Sequence, residues 1–366
     1  MPPSPPEPPL NRQTHIRPMS PSAPRHPLDS LAKFLVIALL ALGAVSLLLL
    51  ALGINPTTIA ITLAKGSILS WQKFGHVLSI FSPLLLASCG LLFTFRAGLW
   101  NIGVEGQVVL GAIAATALLR QGSLGLPPAL VLCAAMLLAF VGGGLWGALA
   151  GWLKHRGGVN EIFGGLGLNF VAQGLILWLI LGPWKRAGIA SMSGTDMFAR
   201  ELWMYTPPGW RVAPAALVLA LAALLLSALL LLSTRFGLRV RAVGLNPLAA
   251  RLFAINPART ALAAMILGGG LAGLAGGLQV AAVYHRLLPP ISSGYGYLAL
   301  LVVMLANSRV APLAPICLLF AALAAGAIQL PIALQLDSAL SGVIQGSCVL
   351  SALFVHGWRQ RLKGAR

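Results

Sequence analysis

Arg96 and Glu105 stand nine residues apart in otherwise apolar sequence, with Asn101 and Gln107 beside them and glycines at 98, 103 and 106. The set holds one cation, one carboxylate and two amides. Its chemistry is hydrogen bonding and charge pairing. It can pin a backbone that has left its helix, or it can grip a neutral polar solute. An Arg or Glu at the centre of a membrane helix costs about 2.5–3.5 kcal/mol on insertion scales, so a chain that keeps both uses them. The glycines predict a broken backbone, which a membrane tolerates only where protein or a water-filled cavity covers it. We read Arg96 and Glu105 as a pair that pins the break, with Asn101 and Gln107 satisfying freed backbone groups. Direct solute contact is the competing role, and snorkelling suffices for Arg96 if it lies at a membrane edge. Asn169 sits two turns into another apolar segment, where an amide needs a partner. Gln173, four residues on, shares its face. Asn169 is read as a pathway candidate, with interhelical hydrogen bonding as the alternative. Gln345 is a similar case.

The second informative pattern runs Arg241-Ala-Val-Gly244-Leu-Asn246-Pro247-Leu-Ala249-Ala250-Arg251-Leu-Phe-Ala-Ile255-Asn256-Pro257. Asn before Pro is a helix start: the Asn side chain caps, and Pro fits the first helical position. The signal occurs twice. The first opens a short helix of about two turns, on which Leu248, Leu252 and Ile255 are expected to share a face. The second opens the next apolar span. A short helix held between two corners suits docking on a cytoplasmic partner; lying flat on the lipid surface is the alternative.

Other chemistries find no residues. Seven acidic residues, scattered along 366, offer no acid–base pair for a membrane transferase. The four cysteines are isolated in apolar segments and read as small packing residues. The six histidines form no HxxxH or HExxH pair, so no metal site is expected. No Gly-Lys dipeptide occurs, which excludes a GxxxxGK[ST] phosphate loop, so any ATP would be used by another chain.

The elements that must carry these residues are membrane helices. The chain is 58% hydrophobic and 9% charged, against about 25% charged in soluble domains. We expect an all-α, polytopic transmembrane bundle. Its candidate spans are residues 34–53, 76–95, 107–120, 128–153, 161–182, 213–233, 259–282, 296–307, 310–329 and 339–356, about ten by the rule of 20 apolar residues per crossing. Residues 107–120 and 296–307 look half-length. Residues 1–30 read as a Pro-rich disordered tail, 31–358 as the membrane domain with the loop 234–258 projecting from it, and 359–366 as a basic tail. The net charge of +18 comes from basic residues in loops and tails, not from a nucleic-acid-binding face. Placing both termini and the loops at 154–156 and 234–259 in the cytoplasm satisfies the positive-inside rule, with 183–212 outside. Gly143, Gly147 and Gly151, and Gly269, Gly273 and Gly277, place glycine on one face of each of two spans, for close backbone packing.

Several of these stretches together resemble one family. Gly244-Leu-Asn-Pro-x-Ala-Ala-Arg251 followed by Ile255-Asn256 resembles the coupling loop of permease subunits of bacterial ABC importers. Within that superfamily, which also handles branched-chain amino acids and ribose, the nucleoside and simple-sugar branch is most similar. Asn101-Ile-Gly-Val-Glu-Gly-Gln107, Val159-Asn-Glu161, Leu168-Asn169 and Gly294-Tyr-Gly-Tyr297 fit its order. The resemblance covers about residues 70–355. It departs at Leu248, where many relatives carry an acidic residue, and at Ala254, where glycine commonly stands. It implies a pathway subunit in a bacterial inner membrane that binds no cofactor itself. Its partners would be cytoplasmic ATPase subunits, a second permease (a paralogue) and an extracytoplasmic solute-binding protein. The implied solute is a nucleoside or simple sugar. A branched-chain amino-acid permease is the runner-up, and a proton-driven transporter resting on Glu105 a more distant alternative.

Overall fold

The computed structural model describes residues 55–334, less Leu124 and 187–193, with isolated positions between 43 and 53 and between 342 and 350. Both expected tails and Gln345 lie outside the described residues. The expected spans 34–53 and 339–356 are represented only by those isolated positions. Every regular element among the described residues is helical. In chain order they are α1 (Pro56–Ser67), α2 (Trp71–Arg96), α3 (Val104–Leu119), α4 (Pro128–His155), α5 (Glu161–Leu181), α6 (Pro214–Ser233), α7 (Arg235–Leu245), α8 (Pro247–Leu252), α9 (Pro257–Leu278), α10 (Tyr295–Leu305), α11 (Leu313–Ala327) and α12 (Gln329–Leu334). A π-helical turn, Gln279–Val283, extends α9.

Six of these helices are long and apolar enough to cross a membrane: α2, α4, α5, α6, α9 with its π turn, and α11 continued through α12. Helices α3 and α10 are the half-length elements expected. Their 16 and 11 residues give about 24 and 16 Å of helix, short of the ~30 Å hydrocarbon core. Helices α1 and α7 were not foreseen. Both carry readable starts: Asn55 before Pro56 accepts from the Thr57 N–H at 3.0 Å, and Thr234 accepts from the Gly237 N–H at 3.2 Å.

The bundle is organised around α2 and α9, whose apolar windows are 89% and 72% buried, against 28–39% for the other long helices. The two glycine stripes form a single seam between α4 and α9. Gly143 packs on Gly269 and Gly273, Gly147 on Met265 and Gly269, and Gly277 on Ala139. A Cβ on Gly143 would come 2.6 Å from the Gly273 Cα, so the seam needs glycine because backbone meets backbone. Helix α3 joins through Gly111, whose Cβ would run into Gly273. Helix α3, which begins just after the break, is packed into this core at its middle.

Candidate functional site

The break is real, and it spans residues 97–103. Helix α2 stops at Arg96, Gly98 turns the chain at φ +76°, and the Leu99 N–H returns to the Thr94 carbonyl at 2.9 Å. Only glycine takes a left-handed turn of this kind without strain. Helix α3 then starts at Val104, with no side-chain cap from its own N-cap residue, Gly103.

The polar residues divide the work differently from the expectation. Asn101 and Gln107 do not serve the backbone. Their amides pair with each other: Asn101 Nδ2 donates to Gln107 Oε1 and Gln107 Nε2 to Asn101 Oδ1, both at 3.0 Å. Both are buried, so the pair ties the loop to the second turn of α3 at no cost in stranded polar groups. The backbone is served by Asn169 from α5. Its Oδ1 accepts the Gly106 N–H at 2.8 Å, and its Nδ2 donates to the Ile102 carbonyl at 3.0 Å. Asn169 therefore supplies the cap that α3 lacks, from another helix. Its Nδ2 also reaches the Tyr297 hydroxyl of α10 at 3.3 Å. Gln173, half-buried one turn further along, makes no side-chain hydrogen bond among the described residues.

Arg96 and Glu105 are not a pair. Arg96 Nε donates to the Ser308 carbonyl at 3.0 Å, just past the end of α10. Glu105 is buried, 5% exposed, and faces the start of α10: the Ser292 hydroxyl and the N–H groups of Gly294, Gly296 and Tyr297 surround its carboxyl. Among the described residues, Oε2 has no hydrogen bond of regular geometry. Gly296 presses directly on Glu105; a Cβ there would lie 2.8 Å from the Glu105 Cα. The charges of the break thus hold opposite ends of one half-length helix. The carboxylate sits at the positive end of the α10 dipole, and also in the first turn of α3. The guanidinium sits at the negative end of α10. Eight residues, 97–104, separate them in the chain, seven of them in the break, and their side chains reach opposite ends of α10.

The projecting loop contains two helices, α7 and α8, where one was expected. Asn246 caps α8 as read, accepting from the N–H groups of Leu248 and Ala249 at 3.0 Å each, and Asn256 caps α9 through the Arg259 N–H at 3.1 Å. Pro247 occupies the first helical position. Helix α8 ends at Leu252, so Ile255 is not on its face; the Ile255 N–H instead bonds back to the Ala250 carbonyl at 3.1 Å. Ala250 is buried beneath the helix, with Ala249 partly covered and Arg251 turned outward. Leu248, Leu252 and Phe253 are 72%, 87% and 80% exposed. Ala254, where the resemblance favours glycine, has φ +57°, a left-handed conformation that glycine adopts at no steric cost.

A close backbone contact joins the loop to the break, between residues that no local pattern links. Gly244, in the last turn of α7, lies on the end of α2. A Cβ on Gly244 would collide with the Arg96 carbonyl oxygen and stand 3.1 Å from the Ala97 carbonyl carbon. From the other side, a Cβ on Gly98 would be 3.3 Å from the Gly244 Cα.

Comparison with known proteins identifies the family of the chain. The family described as the branched-chain amino acid transport system / permease component matches residues 74–352. The chain is 32% identical to the glucose ABC transporter permease protein TsgB13 of Haloferax volcanii, over 86% of this chain and 84% of that protein. It is 28% identical to the guanosine ABC transporter permease protein NupP of Bacillus subtilis, over 86% and 91%. It is 26% identical to the nucleoside ABC transporter permease protein NupB of Lactococcus lactis, over 79% of each. No solved structure matches the chain. With three quarters of its length matched and helices able to cross a membrane repeatedly, the chain belongs to the family of permease components of the branched-chain amino acid transport type, and it is a multi-pass membrane permease subunit rather than an enzyme.

Proposed function

We propose that the chain forms one half of the translocation pathway of an ATP-driven importer for an uncharged nucleoside or simple sugar. The observation that carries this reading is the contact of Gly244 with Arg96–Gly98. It ties the exposed apolar face of α8, a docking surface for an ATPase subunit, to the segment that clamps both ends of α10. Movement of α8 on ATP binding would then reach the end of α2 through backbone, and α10 through the side chains of Arg96 and Glu105. The relatives bearing the names glucose, guanosine and nucleoside transporter support the solute class, as does the scarcity of charge along the spans.

The rest of the assembly follows from the same reading. Counting the spans on either side of the described residues gives about ten crossings with both termini in the cytoplasm. The membrane is the bacterial inner membrane. The α7–α8 end is then cytoplasmic, and the end carrying the starts of α2 and α6 faces outward. Two cytoplasmic ATPase subunits, a second permease (a paralogue) and an extracytoplasmic binding protein complete the transporter, and ATP is bound only by the ATPase.

The test is uptake by cells that express this chain with its partner permease, ATPase and binding protein, offered radiolabelled guanosine, glucose and leucine. The expected result is uptake of guanosine or glucose that vanishes when the ATPase is omitted. Uptake without the ATPase would establish a secondary transporter. Uptake of leucine alone would establish an amino-acid permease.

A further inference from the structure

The polar groups of the break are largely spent on one another and on backbone. The opposite end of the bundle holds polar and aromatic groups around open space. A cavity of about 810 Å³ lies between the start of α2, the end of α9 and the segment 200–211, lined among others by His76, Glu201, Trp203, Tyr205, Arg211 and His285. A second cavity, of about 210 Å³, continues past His76 and Arg211 toward Gln329. Pockets that take small molecules have volumes of about 300–1,000 Å³ and combine aromatic walls with a few placed polar groups.

Two features mark the wall as built. Trp203 and His285 stack face to face, with centroids 3.9 Å apart and planes within 4°. Trp203 is held in turn by its indole N–H, which donates to the Phe198 carbonyl at 3.0 Å. His285 sits just beyond the π turn of α9 with φ +55°, a conformation costly for a residue with a side chain and characteristic of positions fixed by their surroundings. Its Nδ1 lies 3.2 Å from the Ala281 carbonyl. A carbonyl only accepts, so Nδ1 carries the proton, and in the neutral ring Nε2 is left as a bare acceptor. The wall therefore offers a rigid aromatic pair, an acceptor at His285 and donors at Arg211. The lining carries two guanidinium groups, Arg200 and Arg211, and one carboxylate, Glu201, so it presents both donors and acceptors to a polar solute. Tyr205, 74% exposed, stands at the mouth.

We propose that this cavity receives the solute on the outer face, taking an uncharged ring-bearing solute whose hydroxyl or ring N–H groups donate to His285 and whose oxygens accept from Arg211. The proposal rests on the importer reading above and adds the place and the residues of recognition.

The test uses the complete transporter in proteoliposomes, with binding protein saturated by guanosine or by glucose, whichever the wild type transports. Trp203→Ala and His285→Ala are each expected to lower the uptake rate at least tenfold. His285→Gln, which keeps a donor for Ala281 and an acceptor for solute, is expected to recover most of it. Rescue by glutamine would not follow if the ring were needed only for packing. Thr206→Trp, an exposed cavity residue, is expected to block uptake by filling the space while the ATPase still co-purifies in wild-type amount. If the inner variants fail to assemble, Thr206→Trp and Tyr205→Ala decide the matter, since neither side chain is buried. Wild-type uptake in all assembled variants overturns the proposal. Absence of ATP-driven uptake of either solute in the wild type overturns the importer reading instead.

Discussion

Replacement of Asn169 by alanine is the sharpest test of how the break is held. The side chain is 4% exposed, so water does not take its place readily. Its loss strands the Gly106 N–H, which it accepts at 2.8 Å, and the Ile102 carbonyl, to which it donates at 3.0 Å. An unsatisfied buried polar group costs roughly 1–3 kcal/mol, so two cost about 2–6 kcal/mol if nothing rearranges. The longer contact to Tyr297 adds less. The assay is urea unfolding of the detergent-solubilised chain followed by tryptophan fluorescence, with Gln173→Ala as the control. Gln173 lies one turn away on the same helix without a side-chain hydrogen bond among the described residues, and its loss should cost under about 0.5 kcal/mol, as for a substitution away from any structural feature. The reasoning is refuted if Asn169→Ala is no less stable than Gln173→Ala. If that stable variant also failed to transport, Asn169 would be a solute contact and not the cap of α3.

Four further outcomes follow from the same geometry. Gly244→Val should abolish ATP-driven uptake even where ATPase still co-purifies, because the new side chain meets the backbone of Arg96 and not a movable side chain; overpacking of this kind costs about 1–3 kcal/mol, and normal uptake would show that the contact transmits nothing. Leu248→Asp combined with Leu252→Asp should release the ATPase subunit in pull-down without unfolding the permease, since both side chains are exposed; retention of the ATPase would place its docking surface elsewhere. Glu105→Gln keeps the shape but removes the charge at the start of α10, and should impair assembly or switching at least as much as solute affinity; a variant that assembles and switches normally but loses only affinity would make Glu105 a solute contact. Burial lowers the proton affinity of His285 below its ordinary 6.5. Its neutral form therefore favours the fold, so its contribution is complete above pH 6.5 and is lost as pH falls through the depressed value. Thermal stability of wild type should drop more steeply below that pH than stability of His285→Ala, and parallel profiles would refute it.

The polar residues of the break were visible because a charge or amide in apolar sequence is costly, and so were the caps, because Asn-Pro acts locally. Their partners were not visible. Arg96 and Glu105 were read as a pair since they are near in sequence and opposite in charge. In the structure, α10 arrives from nearly two hundred residues later and offers each charge a helix end. Ile255 was placed on the α8 face by spacing, yet the helix ends three residues earlier at Leu252. The arginines of α7 give it the look of a charged loop, although Thr234 caps its start. The outer cavity had no signature at all, for His76, Trp203, Arg211 and His285 come from three separate segments.

What the sequence determined by itself was the class of solvent and the local grammar: apolar runs long enough to cross a bilayer, glycine stripes that demand close packing, and Asn-Pro starts. These depend on composition, periodicity and neighbours within four residues. The tertiary structure alone decided which stripe meets which, that Asn169 caps a helix other than its own, and that Gly244 rests on the end of α2. The reason is physical. Backbone groups freed at a break accept any partner of the right polarity, and in an apolar bundle the choice is made by which helix the glycine seams bring close enough.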